Sequence, residues 1–524
     1  MRRRPAACTA LIVALVLAGH AKSDEGLAKR IESVTDGPDY KQARWGILVV
    51  DSQTGNTVYE RDADRLFLPA STTKLYSCAA ALEALGPEHR FETPVYRRGQ
   101  LKDGHLTGDL ILVASGDLTL GGRTDASGKM VYTNHDHIYA NGQVRAELTD
   151  TDPLAGLKEL ARQVKAAGIT RVSGDVLIDD RLFARAVGSG SGPGLITPII
   201  VNDNVVDALV MPADKAGEPA KVSMRPETAF IRMDAQVTTV AEDKPVRLTV
   251  EEAGLNGFTI RGQIPVKAKP WVRIYPVHDP AGFARALFIE MLRQAGVTVD
   301  ASPLQPPHAE LPPRDGYNKL TRIAAFTSPP FAEAIKVTLK VSHNLYASTL
   351  PLLVAVKHGK RTLADGLHLQ RKFLADCGVP VDTISFGGGA GGANADSVTP
   401  RATVKLLQAM SKRPDYPVFR AALPILGVDG TLHDSVGPNS LARGKVLAKT
   451  GTLMWQDVMN DRLILRSKAL AGTLTTASGR ELIVAMFVND VPLPKGVQTT
   501  REGKVLGKLC EIICQHTPAT EAGR

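Results

Sequence analysis

The chain is short of cysteine, of aromatic residues and of long apolar runs, and each shortage excludes something. Five cysteines in 524 residues are too few for a disulfide-stapled scaffold. Cys8 lies in the N-terminal leader described below, which leaves Cys78, Cys377, Cys510 and Cys514. Cys510 and Cys514 are four apart in a helical pattern, a spacing that regular helix geometry does not readily bridge, so no structural disulfide is expected there. Aromatic residues make up 5% of the chain, which argues against a carbohydrate-stacking module. No stretch approaches the roughly 18 apolar residues of a membrane-spanning helix. No dense Lys/Arg stripe with interleaved aromatics is present, so nucleic acid is not an expected partner.

What is present is ordinary for a globular protein: 44% hydrophobic and 22% charged residues. A chain of 524 residues is too long for one core and implies two or more domains. Residues 1–21 read as a secretory signal. Arg2, Arg3 and Arg4 form a basic start, Leu11 to Leu17 a short apolar core, and Gly19-His20-Ala21 a small-residue cleavage site. The expected location is therefore periplasmic or secreted. Cutting there removes three arginines and takes the formal charge from +9 to +6. A modest positive excess suits an anionic polymer, and it leaves peripheral association with a membrane surface open.

Elements follow from periodicity and turn residues. Trp45 to Val50 reads as a strand, Asp51 to Asn56 as a turn, and Thr57 to Tyr59 as the returning strand. Leu75, Cys78, Ala79, Leu82 and Leu85 recur at helical spacing from Ser71 to Gly86. From Phe91 to about Arg322 the pattern is short strands and turns, with one helix near Leu154 to Ala167. Prolines mark a linker from Ser302 to Pro313. Helices are predicted from about Pro330 to Val356 and from Leu363 to Cys377, followed by a glycine-rich loop, Gly387 to Gly392. Strands at Leu447 to Thr450, Leu470 to Thr475 and Leu482 to Val488 precede a last amphipathic helix. The simplest architecture is one α/β domain built from both ends of the chain, 22–90 and 323–524, with a β-rich insertion at 91–322.

Three short motifs carry chemistry. Ser71-Thr72-Thr73-Lys74 places a lysine three positions after a serine, on one helix face. A neutral lysine there can take the proton as the serine attacks a carbonyl. Ser342-His343-Asn344 offers a hydroxyl for proton relay and an amide for positioning. Lys449-Thr450-Gly451 puts a cation and a hydroxyl on a strand edge, where a free carboxylate can bind. Its glycine lets a substrate backbone approach. The backbone amides of Ser71 and Thr452 could form an oxyanion hole. Each motif alone is weak. An S-x-x-K is expected about once by chance in such a chain, as a helix N-cap followed by a surface lysine. The other two read equally well as polar helix surface and as an edge strand ending in a turn.

All three motifs in this order form the set found in class A β-lactamases and penicillin-binding proteins. The gap of about 270 residues between Ser71 and Ser342 resembles the D-alanyl-D-alanine carboxypeptidase/endopeptidase family of low-molecular-mass class C penicillin-binding proteins, the S13 peptidases. Gly108-Asp109-Leu110, Ser115-Gly116-Asp117, Gly174-Asp175-Val176, Asp179-Asp180 and Asn202-Asp203-Asn204 are similar too. So are Leu423-Pro424, Gly427 to Leu432 and Ala448 to Leu453. The resemblance implies an α/β (α+β) catalytic domain of the β-lactamase/transpeptidase type, with an antiparallel sheet, a helical subdomain and the inserted β-rich region. It implies Ser71 as acylated nucleophile, Lys74 as base, and Ser342 and Asn344 as proton-transfer and positioning groups. Lys449 and Thr450 would bind the substrate's carboxylate. Peptidoglycan stem peptides are the implied substrate, β-lactams the implied inhibitors, and no metal or cofactor is implied.

The chain departs from the family in places. His343 stands where aspartate is usual, a residue that tends to point away from the site. Phe386-Gly387-Gly388-Gly389-Ala390 replaces an Asp-Gly-Ser-Gly-Leu-like stretch and lacks its polar side chains. About a dozen extra residues, Trp455 to Ser467, suggest a loop beside the site. His135-Asp136-His137 could hint at a metal, but no third ligand stands at telling spacing. The competing functions are a β-lactamase or esterase on the same fold, which the large insertion and lack of a Glu-containing deacylation motif disfavour, and a non-catalytic wall-binding protein.

Overall fold

Along the strands, both phases of the side-chain alternation are apolar. In Arg44–Asp51, Ile47 and Val49 face one side and Leu48 and Val50 the other, and all four are buried. A strand buried on both faces belongs between two layers of helix. The structure, a computed structural model, describes residues 25–142 and 145–516, so the leader read from residues 1–21 lies outside it.

Five antiparallel strands form the central sheet in the order Val446–Asp457, Arg462–Thr475, Glu481–Pro492, Arg44–Asp51 and Thr57–Arg61. One face carries Leu470, Leu474, Val484 and Met486 against helices Glu25–Thr35 and Thr500–Cys514. The other carries the smaller Ala469, Ala471 and Ala485. Small residues let the Thr73–Leu85 and Pro400–Met410 helices settle close. The fold is α+β. Among the described residues, no helix is long and apolar enough to cross a membrane.

The middle of the chain builds a second core. Strand Glu92–Lys102 pairs with both His105–Val113 and Thr321–Thr327, so the chain leaves and returns on adjacent strands. Helix Ala155–Ala166 packs there, and so does Pro280–Gln294, which the sequence reading missed. Its apolar residues, Phe283 through Leu292, surround the helix instead of forming one stripe, so no helical period stands out. Its start was legible in principle: Pro280 sits at the first turn and the Asp279 carboxylate caps the Gly282 amide at 3.1 Å.

The single helix expected from Pro330 to Val356 is two helices, Phe331–Lys340 and Asn344–Lys357. Ser342 adopts φ +63°, in the left-handed region that no α-helix tolerates. His343 is extended and caps the second helix, its ring nitrogen accepting from the Tyr346 amide at 3.4 Å. The break turns Ser342 out of the helix surface and into the site.

A buried cluster of charges joins the middle of the chain to this break. Arg123 donates to both carboxylate oxygens of Asp136, at 2.7 and 2.9 Å, and to Asp203. His137 bridges Asp207 at 2.6 Å and Asp203 at 2.7 Å. The Tyr346 hydroxyl also donates to Asp203. His343 is fully buried, stacked on Tyr346 with centroids 3.6 Å apart, and lies 3.2 Å from Asp203. Asn202, Asp203 and Asn204 all have positive φ, a strained turn that aims the carboxylate inward. Removing one member of such a network leaves a buried charge uncompensated. Arg123→Met should therefore lower the unfolding free energy by about 3–5 kcal/mol, measured by urea denaturation. A change within the error of the measurement would mean that Arg123 does not neutralise Asp136 and Asp203.

Candidate active site

The helix that carries Lys74 is buried on every side from Thr73 to Leu82. It is entered through a single turn, Ala70–Thr72, after Ala70 at φ +45°. That turn holds Ser71 half-buried at the helix start, with Lys74 one turn on. Lys74 is fully buried. Its Nζ donates to Ser71 Oγ, Asn344 Oδ1 and the Ala390 carbonyl, each at 2.8 Å. Burial lowers its pKa to about 7. Near neutral pH a large share of Lys74 is thus unprotonated and able to accept a proton from Ser71.

Ser342 and Asn344 flank the helix break. Asn344 Nδ2 donates to the Ser191 carbonyl at 3.0 Å, which fixes the amide so that its oxygen faces Lys74. The Ser342 carbonyl accepts from the Tyr139 hydroxyl, and its Oγ accepts from Lys449 Nζ at 2.9 Å. Lys449, fully buried, also donates to the Thr450 carbonyl at 2.7 Å. Burial, and then the charge of Lys74, drive the Lys449 pKa down.

Gly451 is where strand Val446–Asp457 passes closest to the serine. A Cβ at Gly451 would fall 2.7 Å from the Pro69 carbonyl and 3.1 Å from the Ser71 amide nitrogen. Thr450 Oγ1 donates to Thr431 Oγ1 at 2.6 Å, and Thr452 Oγ1 accepts from Lys468 Nζ at 2.9 Å. The residues after this motif do not form the expected loop. The strand runs on to Asp457 and returns as Arg462–Thr475, with a bulge at Leu453/Met454. Leu465, Ile464 and Leu463 pair with Met454, Trp455 and Gln456 and extend the hairpin beyond the site.

The glycine-rich loop acts through its backbone. The Ala390 carbonyl receives Lys74, and the Gly389 carbonyl receives Ser77 at 2.9 Å. Gly391 has φ +92°, and a Cβ there would lie 1.8 Å from the Ala70 carbonyl. Only glycine lets the loop lie against the turn that holds Ser71. Buried Asp396 braces it, accepting from the Gly387 and Ala393 amides at 2.8 Å each.

A cavity of about 500 Å³ is lined by Ser71, Ser342, Asn344, Thr450, Thr452 and Lys468, among others. Lys74 and Lys449 sit behind its wall, and Gly451 lies against the serine. The structure thus brings all eight residues named from the motifs together. It adds Tyr139, Ser191 and Lys468, which lie in no motif read from the sequence, and Ala390 and Thr431, which lie in stretches that were. Thr431 lies in the Gly427–Leu432 stretch, so that stretch was a usable signal. His343 points away from the cavity into the buried charge cluster. His135-Asp136-His137 splits: His135 packs on His433, with centroids 4.8 Å apart, while Asp136 and His137 join Asp203. That trio does not suit a metal ion. Arg123 fills the carboxylates, and Asp207 and Asp203 outweigh burial and hold His137 protonated, with its pKa raised to about 10.

Comparisons with known proteins identify the family. The family model for the D-Ala-D-Ala carboxypeptidase 3 (S13) family matches residues 27–506, so the chain belongs to that family. A D-alanyl-D-alanine carboxypeptidase from Actinomadura sp. is 28% identical over 82% of this chain and 76% of its own. The D-alanyl-D-alanine carboxypeptidase DacB from Haemophilus influenzae is 25% identical over 85% of each chain. The crystal structure of penicillin-binding protein 4 (dacB) from Haemophilus influenzae shares the fold, with a TM-score of 0.67 at 21% identity, over 92% of this chain and 98% of that one. That protein has also been solved with a β-lactam bound.

The lowered Lys74 pKa sets a pH dependence. A base works only when unprotonated, so acylation of Ser71 by an uncharged active ester should rise with pH through about 7 and then level off. Lys74→Arg keeps its charge at all these values, so it should abolish that limb and slow acylation by about 100-fold or more. Stopped-flow kinetics measures both. A wild-type limb centred above pH 9 would mean that Lys74 stays charged and is not the base.

Proposed function

We propose that the chain is a serine D-Ala-D-Ala peptidase that acts on peptidoglycan stem peptides through an acyl-enzyme on Ser71. The observation that carries this reading is the Lys74 Nζ to Ser71 Oγ contact of 2.8 Å at a buried lysine whose pKa falls to about 7. Unprotonated Lys74 takes the Ser71 proton as Oγ attacks the carbonyl carbon of the penultimate D-Ala. The amides of Ser71 and Thr452 receive the developing oxyanion. Ser342, held by Lys449, relays that proton from Lys74 to the leaving amine, which leaves Lys74 neutral again, and the terminal residue departs with its carboxylate. Water then attacks the ester, again with Lys74 as base, and frees Ser71. Asn344 positions Lys74 and the substrate amide, while Lys449 and Thr450 favour the carboxylate. Membership of the S13 family supports this substrate class.

A β-lactam presents the same amide in a ring. Its leaving nitrogen stays tethered to the acyl group, so the adduct persists. The β-lactam complex of the Haemophilus influenzae protein supports β-lactam binding. A β-lactamase reading needs a further group that speeds deacylation beyond what Lys74 provides, and among the described residues no Asp or Glu lines the cavity. The secretory signal read in residues 1–21 supports export to the periplasm or beyond, where stem peptides lie.

A fluorescent penicillin should label the purified protein covalently, and the label should persist through denaturing electrophoresis. Ser71→Ala should remain folded by circular dichroism and take no label. Intact protein incubated with sacculi should release D-alanine or resolve cross-linked dimers, read by muropeptide chromatography. Labelling that survives Ser71→Ala would sink the mechanism, and rapid penicillin turnover would favour a β-lactamase.

A further inference from the structure

Lys468 is the third lysine at the cavity, and no motif announces it. It stands directly opposite Thr452 in the hairpin pairing, so both side chains share one face of the sheet. Its Nζ donates to Thr452 Oγ1 at 2.9 Å, and both residues line the cavity that contains Ser71. Among the described residues, no carboxylate comes within ion-pair distance of Lys468. Glu502 and Asp434 act on it only from farther away. Glu502 is already engaged by the Tyr40 hydroxyl and by Arg501 at 2.6 Å.

The donors on this edge are unequally used. Thr450 gives its hydroxyl proton to Thr431. Thr452 accepts from Lys468 and keeps its own proton for a ligand. The ammonium retains two further N–H groups. Burial lowers the Lys468 pKa to about 8, and Lys449 and Lys74 are pushed down as well. Three lysines around one cavity, with no acid lining it among the described residues, form a site that an outside anion would complete. A planar carboxylate can take one oxygen from a Thr hydroxyl and the other from an ammonium.

We propose that Lys468 is a specificity-determining residue that, together with Thr452, anchors the α-carboxylate of the amino acid leaving the scissile bond. The substrate class is then a peptide whose leaving residue carries that carboxylate free. This rests on the serine-peptidase reading above, because the cavity must hold the residue that follows the bond cleaved at Ser71.

Binding can be tested apart from turnover, in the Ser71→Ala protein by calorimetry. Three peptides ending in D-Ala-D-Ala serve as probes: the free acid, its C-terminal carboxamide, and a carboxamide carrying an internal glutamate. The free acid should bind about tenfold or more tightly than either amide. Adding Lys468→Met should erase that preference and leave both amides unchanged, which also shows that the variant is folded. Lys468→Arg should keep the preference. An unchanged preference in Lys468→Met, or equal weakening of all three peptides, overturns the proposal. So does a Lys468-dependent gain for the glutamate peptide, which would assign the lysine to a side-chain carboxylate. Turnover by protein with Ser71 intact separates the two readings. If it releases no D-alanine while the acid preference and its loss hold, Ser71 is misassigned and Lys468 stands. If it releases D-alanine and Lys468→Met leaves the acid-to-amide ratio of kcat/KM unchanged, Lys468 alone fails.

Discussion

Everything around the cavity answers to one constraint, the burial of the Lys74 amine in an apolar helix. A lysine head group without water needs acceptors or must shed its proton. Lys74 has three acceptors: Ser71 from its own helix start, and Asn344 and Ala390 from two segments in the second half of the chain. Each is delivered by backbone in the left-handed region: Ala70 before the serine, Ser342 two residues before the asparagine, and Gly391 after the alanine carbonyl. Such conformations cost about 1–3 kcal/mol each for a non-glycine residue and persist only where surrounding packing enforces them. The sheet supplies that packing. Its alanine-rich face lets the lysine helix lie close, and Gly451 lets the strand edge pass against Ser71.

The same demand accounts for the buried charges behind the site. Ser342 can hold its unusual conformation because its carbonyl is tied to Tyr139 and its neighbour His343 is wedged between Tyr346 and Asp203. Tyr139 and Asp203 come from the middle of the chain, Tyr346 from the second half. Arg123 and His137 then neutralise the carboxylates that this bracing requires. An apolar interface would cost less to assemble, but it would fix the helix break less specifically than hydrogen bonds with defined partners do.

Much of this was legible in the sequence, and the rest was hidden for physical reasons. The first hairpin followed from its turn residues and the lysine helix from the spacing of Leu75, Cys78, Ala79, Leu82 and Leu85 up to Gly86, although the hairpin's first strand and the helix are both buried all round. The Pro280–Gln294 helix did not show, because its apolar residues run almost without a break and present no helical period among neighbouring strands. The break at Ser342 was invisible because apolar residues continue through it at helical spacing, and only tertiary contacts pay for its φ. The eight motif residues were found through order along the chain, not through any one spacing. Ala390 was noticed only as part of an altered glycine-rich stretch, since the role of a backbone carbonyl leaves no signature in a side-chain alphabet. Lys468 was hidden for another reason: its role depends on standing across a hairpin from Thr452, and the sequence reading had taken the intervening residues, Trp455 to Ser467, for a loop.

That pairing bears on how one cavity can hold both a neutral base and a site for an anion. A carboxylate close to Lys74 would favour its protonated form and disable it as a base. The three lysines are not equivalent in this respect. Lys74 spends its contacts on Ser71, Asn344 and Ala390, on the helix side of the cavity. Lys449 and Lys468 sit on the strand side, bonded to Ser342 and Thr452. On the proposed reading, an anion drawn to the strand meets Lys449 and Lys468 first and favours their protonated forms, which burial disfavours. Ser342, bonded to Lys449 and facing the same cavity as Ser71, then separates the group that must stay charged from the group that must stay neutral. The division of labour follows from which element each lysine stands on, and the fold fixes that by placing a helix start against a strand edge.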